Sequence, residues 1–164
     1  MSSGGWTTPP GCVRSRSSSE VGVVTDEVIR VSAVVVRRAD GRVLTVRKAG
    51  TVMFMFPGGK HDDGESPLQT ARRELVEETG LTVALDELDH LGAWDTAAAN
   101  EPGRLLHSEV FAVARQLADH EVPVPAAEIE QLAWMDPHHP VPPDGFSIAP
   151  LLLEVFGHLS SVSR

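Results

Sequence analysis

Glu74, Glu77 and Glu78 fall inside one turn of a stretch that reads as a helix, "SPLQTARRELVEETG". At roughly 100° per residue the three carboxylates share a ~100° arc, and Leu68, Ala71 and Leu75 share the adjoining one. One edge packs and the neighbouring edge is acid. Like charges at this spacing destabilise a helix by roughly 0.2–0.5 kcal/mol per pair, so either solvent screens them or a cation lies between them. A solvated stripe is the plain explanation for three glutamates taken alone.

The residues around them argue for the cation. Gly59 is followed after five residues by Glu65, after seven more by Arg73-Glu74, and then by Leu75, Glu77-Glu78, Gly80 and Leu81. Identities at such fixed offsets arise by chance in a chain this size with odds on the order of one in 10⁶ or rarer. The segment resembles the signature box of the Nudix hydrolases, G-x5-E-x7-R-E-U-x-E-E-x-G-U with U aliphatic, and matches every fixed position. The resemblance implies an α/β/α sandwich with a mixed β-sheet and hydrolysis of a nucleoside diphosphate linked to another moiety.

Carried over residue by residue, the box implies that Glu74, Glu77 and Glu78 are metal ligands, joined by the backbone carbonyl of Gly58. The implied cofactor is Mg²⁺ or Mn²⁺, since carboxylate oxygens are hard ligands suited to both. Glu65, just before the helix cap, is either a metal-linked base or a carboxylate meeting the helix N-terminus. Arg73, one turn from Glu77, is suited to hold a box glutamate by a bidentate pair. A further acid outside the box is also implied. Glu109, Glu128 and Glu130 compete for it, and Glu128, six residues before Trp134, is the choice for general base. Glu65, Arg73, Glu74, Glu77, Glu78 and Glu128 thus make up the expected catalytic set.

An acidic site that takes a polyphosphate needs positive charge beside it. Arg37, Arg47 and Lys60 are the expected substrate contacts, with Lys48 a further candidate. The chain has no Tyr. Base stacking would therefore fall to Phe54, Phe56, Trp94, Phe111 or Trp134, most of which also read as core. His138-His139 reads as a connector. Features that mark diadenosine polyphosphate, NADH and CoA hydrolases are absent, and Ala97 stands where ADP-ribose hydrolases tend to carry Pro. The expected substrate is a nucleoside triphosphate or oxidised nucleotide, with ADP-ribose or a nucleotide sugar as the alternative. A non-catalytic nucleotide-sensing domain is the alternative of another class, and its usual mark, a damaged box, is missing.

The elements that must position these groups are legible too. "VIRVSAVVVRRADGRVLTVRK" reads as two strands joined by a tight turn at Asp40-Gly41. "TVMFMF" reads as a short strand broken by Pro57-Gly58-Gly59. Ser66 and Gln69 form a capping box, Pro67 suits the first helical position and Gly80 the stop, so the spacing predicts a helix over Pro67 to Thr79. "LDHLGAW", "RLLHSEVFAVARQ" and "IEQLAWMD" read as strands. Ile148, Leu151, Leu152, Val155, Phe156 and Leu159 recur at helical spacing and give a terminal amphipathic helix.

With 164 residues and 41% hydrophobic content, the chain suits one core. Residues 1–24, rich in Ser, Gly and Pro, read as a disordered tail, and residues 25–164 as the folded domain. A net charge of −9 argues against a nucleic-acid-coating surface. The expected partner is a small nucleotide, with no nucleic acid, no membrane, and a homodimer as the one assembly admitted. The single cysteine, Cys12, suits a reducing compartment, and the cytoplasm is the default.

Overall fold

Alternate residues of "VSAVVV" are buried on opposite faces. Val34 and Val36 pack with Ala71, Leu75 and Phe111, whereas Ala33 and Val35 pack with Val155, Phe156 and Leu159. A strand covered on both faces belongs at the centre of a sheet with a helix on each side. The computed structural model describes residues 28–162 and has that architecture. The expected tail over residues 1–24 lies outside the described residues.

The elements run β1 (Ile29–Arg37), β2 (Val43–Lys48), β3 (Met53–Phe54), β4 (Gly58–Lys60), α1 (Pro67–Thr79), a 3-10 turn (Leu85–Glu87), β5 (Leu88–Ala97), β6 (Leu105–Gln116), β7 (Ile129–Met135), β8 (Ser147–Ile148) and α2 (Pro150–Val162). The main sheet has the order β5-β6-β1-β2-β7, and β4 also pairs with β1. β1 runs parallel to β6 and antiparallel to β2 and β4, so the sheet is mixed. Helix α1 covers one face and α2 the other. This is the expected sandwich. No helix among the described residues is long and apolar enough to cross a membrane.

Helix α1 has the predicted bounds because its local signals agree. The Ser66 side chain accepts from the Gln69 N–H, Gln69 returns the bond to the Ser66 N–H, and Gly80 ends the helix in the left-handed conformation at φ 70°. Leu75 and Ala71 are fully buried beneath it. Each fully buried Leu or Phe contributes about 1.5–3 kcal/mol, so this face fixes the helix against the sheet.

Three expectations change. The strand "TVMFMF" shrinks to Met53–Phe54, which pairs in parallel with Ser147–Ile148. Ile148 therefore belongs to β8, and α2 begins at Pro150. The glycine pair, read as a break, is itself strand β4, with Ala33 opposite Gly58 and Val31 opposite Lys60. Its missing side chains explain the difference. A Cβ on Gly58 would lie 2.2 Å from the Ser32 carbonyl oxygen, so only glycine lets these backbones meet.

Candidate active site

Strand β4 and helix α1 bring the box residues together. The Gly58 N–H donates to Glu78 Oε2 at 2.9 Å, tying the last turn of the helix to the sheet. A Cβ on Gly59 would come within 2.3 Å of Glu74 Oε1, so the backbone there lies directly against that carboxylate. Glu78 is almost fully buried, Glu74 nearly so, and Glu77 half exposed.

Arg73 organises the acids. Its guanidinium grips both oxygens of Glu65, at 2.9 and 2.8 Å, and reaches Glu74 at 2.7 Å and Glu77 at 3.4 Å. The box glutamate held by the bidentate pair is thus Glu65, the one that precedes the helix. Arg73 together with the Thr70 hydroxyl holds the Glu65 carboxyl down at about 2, which makes Glu65 a weak base. Its contacts give it a role outside the two expected ones, a brace for Arg73. The protein's own cation therefore relieves much of the repulsion that the glutamate spacing implies.

Glu78 is the exception. Burial is the largest influence on it and pushes its carboxyl from 4.5 up to about 7, with the Glu74 charge adding to the rise. The Gly58 N–H and Lys48 oppose that shift. The Lys48 ammonium stands 3.4 Å from Glu78 Oε1, yet that oxygen makes no hydrogen bond. A buried carboxylate oxygen without a hydrogen bond is costly unless a cation completes it. No three His, Cys, Asp or Glu among the described residues converge closely enough to hold a metal as they stand. The hard oxygen donors and the orphaned Glu78 oxygen nonetheless fit a divalent ion.

The sign of the Glu78 shift gives a testable result. Unfolded, the group ionises near 4.5; folded, near 7. Between those values the native state holds the extra proton, so stability is highest below the lower one and falls as pH rises through the upper one. In chelator, thermal stability is expected to decline from pH 5 to 7.5, by up to about 3 kcal/mol. Glu78→Gln should flatten the decline. Melting curves that keep the same slope in that variant would remove Glu78 as its source.

A cavity of about 500 Å³ opens beside these groups, lined at one end by Lys48, Gly58, Gly59, Glu74 and Glu128. Its size suits a small-molecule ligand. Lys48 bridges Glu78 and Glu128, forming an ion pair with each. Of the three acids considered for the base, Glu128 alone lines the cavity. Glu109 bonds His90 at 2.6 Å, and Glu130 pairs with Arg47 at 2.9 Å. Glu109 does share its side of β6 with His107 and Phe111, as its alternation suggested.

The segment before Glu128 is pinned. Val124 and Ala126 donate to the Thr79 and Glu78 carbonyls at the end of α1, and Ala49 donates to the Glu128 carbonyl. Ala127 takes φ 52°, the single positive φ among the described non-glycine residues. Such strain is held only where the surroundings over-determine it. The orphan carbonyls of a helix end need partners, and that requirement is the signal that could have located this staple.

Lys60 lines the cavity, paired with Glu101 at 2.9 Å. Arg37 and Arg47 do not. Arg37 ends β1, four residues past the Ala33 that faces Gly58. Arg47 is buried, its guanidinium 4.4 Å from the Phe146 ring centroid and bonded to the Thr51 carbonyl. Its side chain departs from the opposite face to Lys48 because strand neighbours alternate. Phe54, Phe56 and Phe111 are core, Trp94 packs against His158, and Trp134 carries Arg38 over its ring.

Comparison with known proteins agrees with this geometry. The family model described as NUDIX domain matches residues 27–154. An RNA pyrophosphohydrolase from Halorhodospira halophila is 32% identical over 124 residues, covering 66% of this chain and 66% of that protein. An 8-oxo-dGTP diphosphatase from Haemophilus influenzae is 41% identical over 66 residues, covering 38% of this chain and 48% of that protein. The chain spans less than two thirds of the length of these curated relatives. A solved MutT NUDIX hydrolase from Burkholderia pseudomallei superposes with a TM-score of 0.64 at 19% identity, over 80% of this chain and 97% of that one, a likeness of fold.

Proposed function

The chain belongs to the Nudix family, and from that membership we propose that it is a Mg²⁺-dependent pyrophosphohydrolase acting on a small free nucleotide, a nucleoside triphosphate or its oxidised form. The observation that carries this reading is the meeting of Glu74 and Glu78 with the Gly58-Gly59 backbone at one end of a ligand-sized cavity.

Glu74, Glu77, Glu78 and the Gly58 carbonyl would hold the divalent ion. Bound there, it would supply charge stabilisation for the phosphates and a more acidic attacking water. The chain's own residues carry the remaining work. Arg73, braced on Glu65, orients Glu74 and Glu77. Lys48 offers an ammonium at the phosphate end, and Glu128 beside it is the general base that takes a proton from the attacking water. An exposed carboxylate whose backbone is pinned can move its side chain without moving the loop.

One relative is named for RNA and the other for an oxidised nucleotide, and both names describe the release of part of a polyphosphate. A net charge of −9 supports the free nucleotide over RNA, because RNA binding draws on clustered Lys and Arg. A screen of phosphate release with Mg²⁺ over nucleoside triphosphates, 8-oxo-dGTP, ADP-ribose and nucleotide sugars tests the proposal. Highest turnover on a triphosphate is the expected result. Binding of these compounds without turnover of any would favour a sensing domain.

A further inference from the structure

We infer that Asn100 determines base specificity, its carboxamide reading the hydrogen-bonding edge of a nucleobase lodged in the aliphatic end of the cavity; the inference rests on the pyrophosphohydrolase reading above. The sheet register supplies a ruler. Ala33 lies opposite Gly58, Ile29 opposite Leu106, and Leu105 opposite Ala97. From Ala33 to Ile29 is four residues of strand, about 13 Å, so the cavity has two ends separated by roughly the reach from phosphate to base in a nucleotide.

The far end is lined by Ile29, Leu106 and the run Ala97-Ala98-Ala99, followed by Asn100. No aromatic face is offered there among the described residues. Phe56 also lines the cavity, but it is 3% exposed and packs edge-on against Phe156. Aliphatic walls accept any flat heterocycle of the right size and discriminate weakly between rings of similar shape. Discrimination between bases therefore falls to hydrogen bonds.

The polar side chains of the cavity are nearly all engaged. Lys48 pairs with Glu78 and Glu128, Lys60 with Glu101, and the Ser32 hydroxyl with His61. The Asn100 side chain is exposed and makes no hydrogen bond among the described residues. A carboxamide presents one acceptor and one donor pair in a plane, the complement of a base edge that offers both.

The loop that carries it is fixed. Glu101 bonds Lys60 of β4 and, at 2.7 Å, Arg104 of its own loop, and the Ala98 N–H donates to the Arg104 carbonyl at 3.0 Å. Asn100 thus sits in the cavity lining between two tied neighbours, its side chain making no hydrogen bond among the described residues.

The test is kcat/KM with Mg²⁺ for the four deoxynucleoside triphosphates, in the wild type, Asn100→Ala and Asn100→Asp. Asn100→Ala should compress the ratio between best and worst base by about tenfold or more, through KM, with kcat changed less than about threefold and the melting temperature unchanged. Asn100→Asp, which keeps the shape and loses the donor, should rank the bases differently from the wild type. An unchanged ratio and ranking in both variants, or a wild type without base preference, would overturn the inference and leave the hydrolase reading standing. A wild type that cleaves none of the nucleotides would overturn both.

Discussion

Glu78→Gln is expected to leave a folded protein whose kcat has fallen by about three orders of magnitude. Glutamine keeps the size of the side chain and an oxygen for the Gly58 N–H, so the tie between α1 and β4 survives. What it loses is charge. A unit charge about 4 Å from a cation, at an effective dielectric of about 20, interacts by ~4 kcal/mol. At about 1.4 kcal/mol per decade of rate, that loss is roughly 10³-fold. The metal-free variant should also melt higher than the wild type at pH 7.5, because a buried carboxylate no longer has to ionise. Steady-state rates at saturating Mg²⁺ and a melting curve in chelator check both halves. Undiminished turnover would remove Glu78 from the site.

The second large effect is expected at Glu128. Replacing a general base typically costs 10²–10⁴-fold in rate, and about that range is predicted for Glu128→Gln. Stability should barely change, because the side chain is exposed and only the Lys48 pair is lost. Glu109→Gln and Glu130→Gln serve as the contrast. Their carboxylates face His90 and Arg47 and lie outside the cavity lining, so kcat should stay within about twofold. Full activity in Glu128→Gln across pH 6–9, with a loss in either of the others, would move the base to the residue that failed.

The sequence carried the helix best. Capping residues, a proline at the first position and a terminal glycine act within a few residues of one another, so their agreement marks both ends of α1 without tertiary information. Strand β4 could not be read this way. Gly58 and Gly59 have no strand propensity, and their pairing exists because β1 and the Glu74 side chain lie so close that a Cβ would collide. Propensity describes a residue alone, and this strand is a property of its neighbours.

The site divides along the same line. Box spacing brought Arg73 to Glu74 and Glu77, because helical periodicity translates offset into direction. It did not show that Arg73 would grip Glu65, since that contact crosses from the helix to the preceding loop. Arg37 and Arg47 were chosen for charge alone. Their strand positions send one past the Gly58 end of the cavity, away from Ile29, and the other beneath Phe146. The Ala97–Asn100 run carried no local signal, because it becomes a cavity wall only when the β5–β6 loop lies over β4.

The most direct measurement is a ³¹P NMR time course of a nucleoside triphosphate with the protein and Mg²⁺, followed by excess chelator. A nucleoside monophosphate and pyrophosphate are expected to accumulate together, with no further accumulation once the chelator is added. A nucleoside diphosphate with orthophosphate, or a rate that persists in chelator, would contradict this expectation.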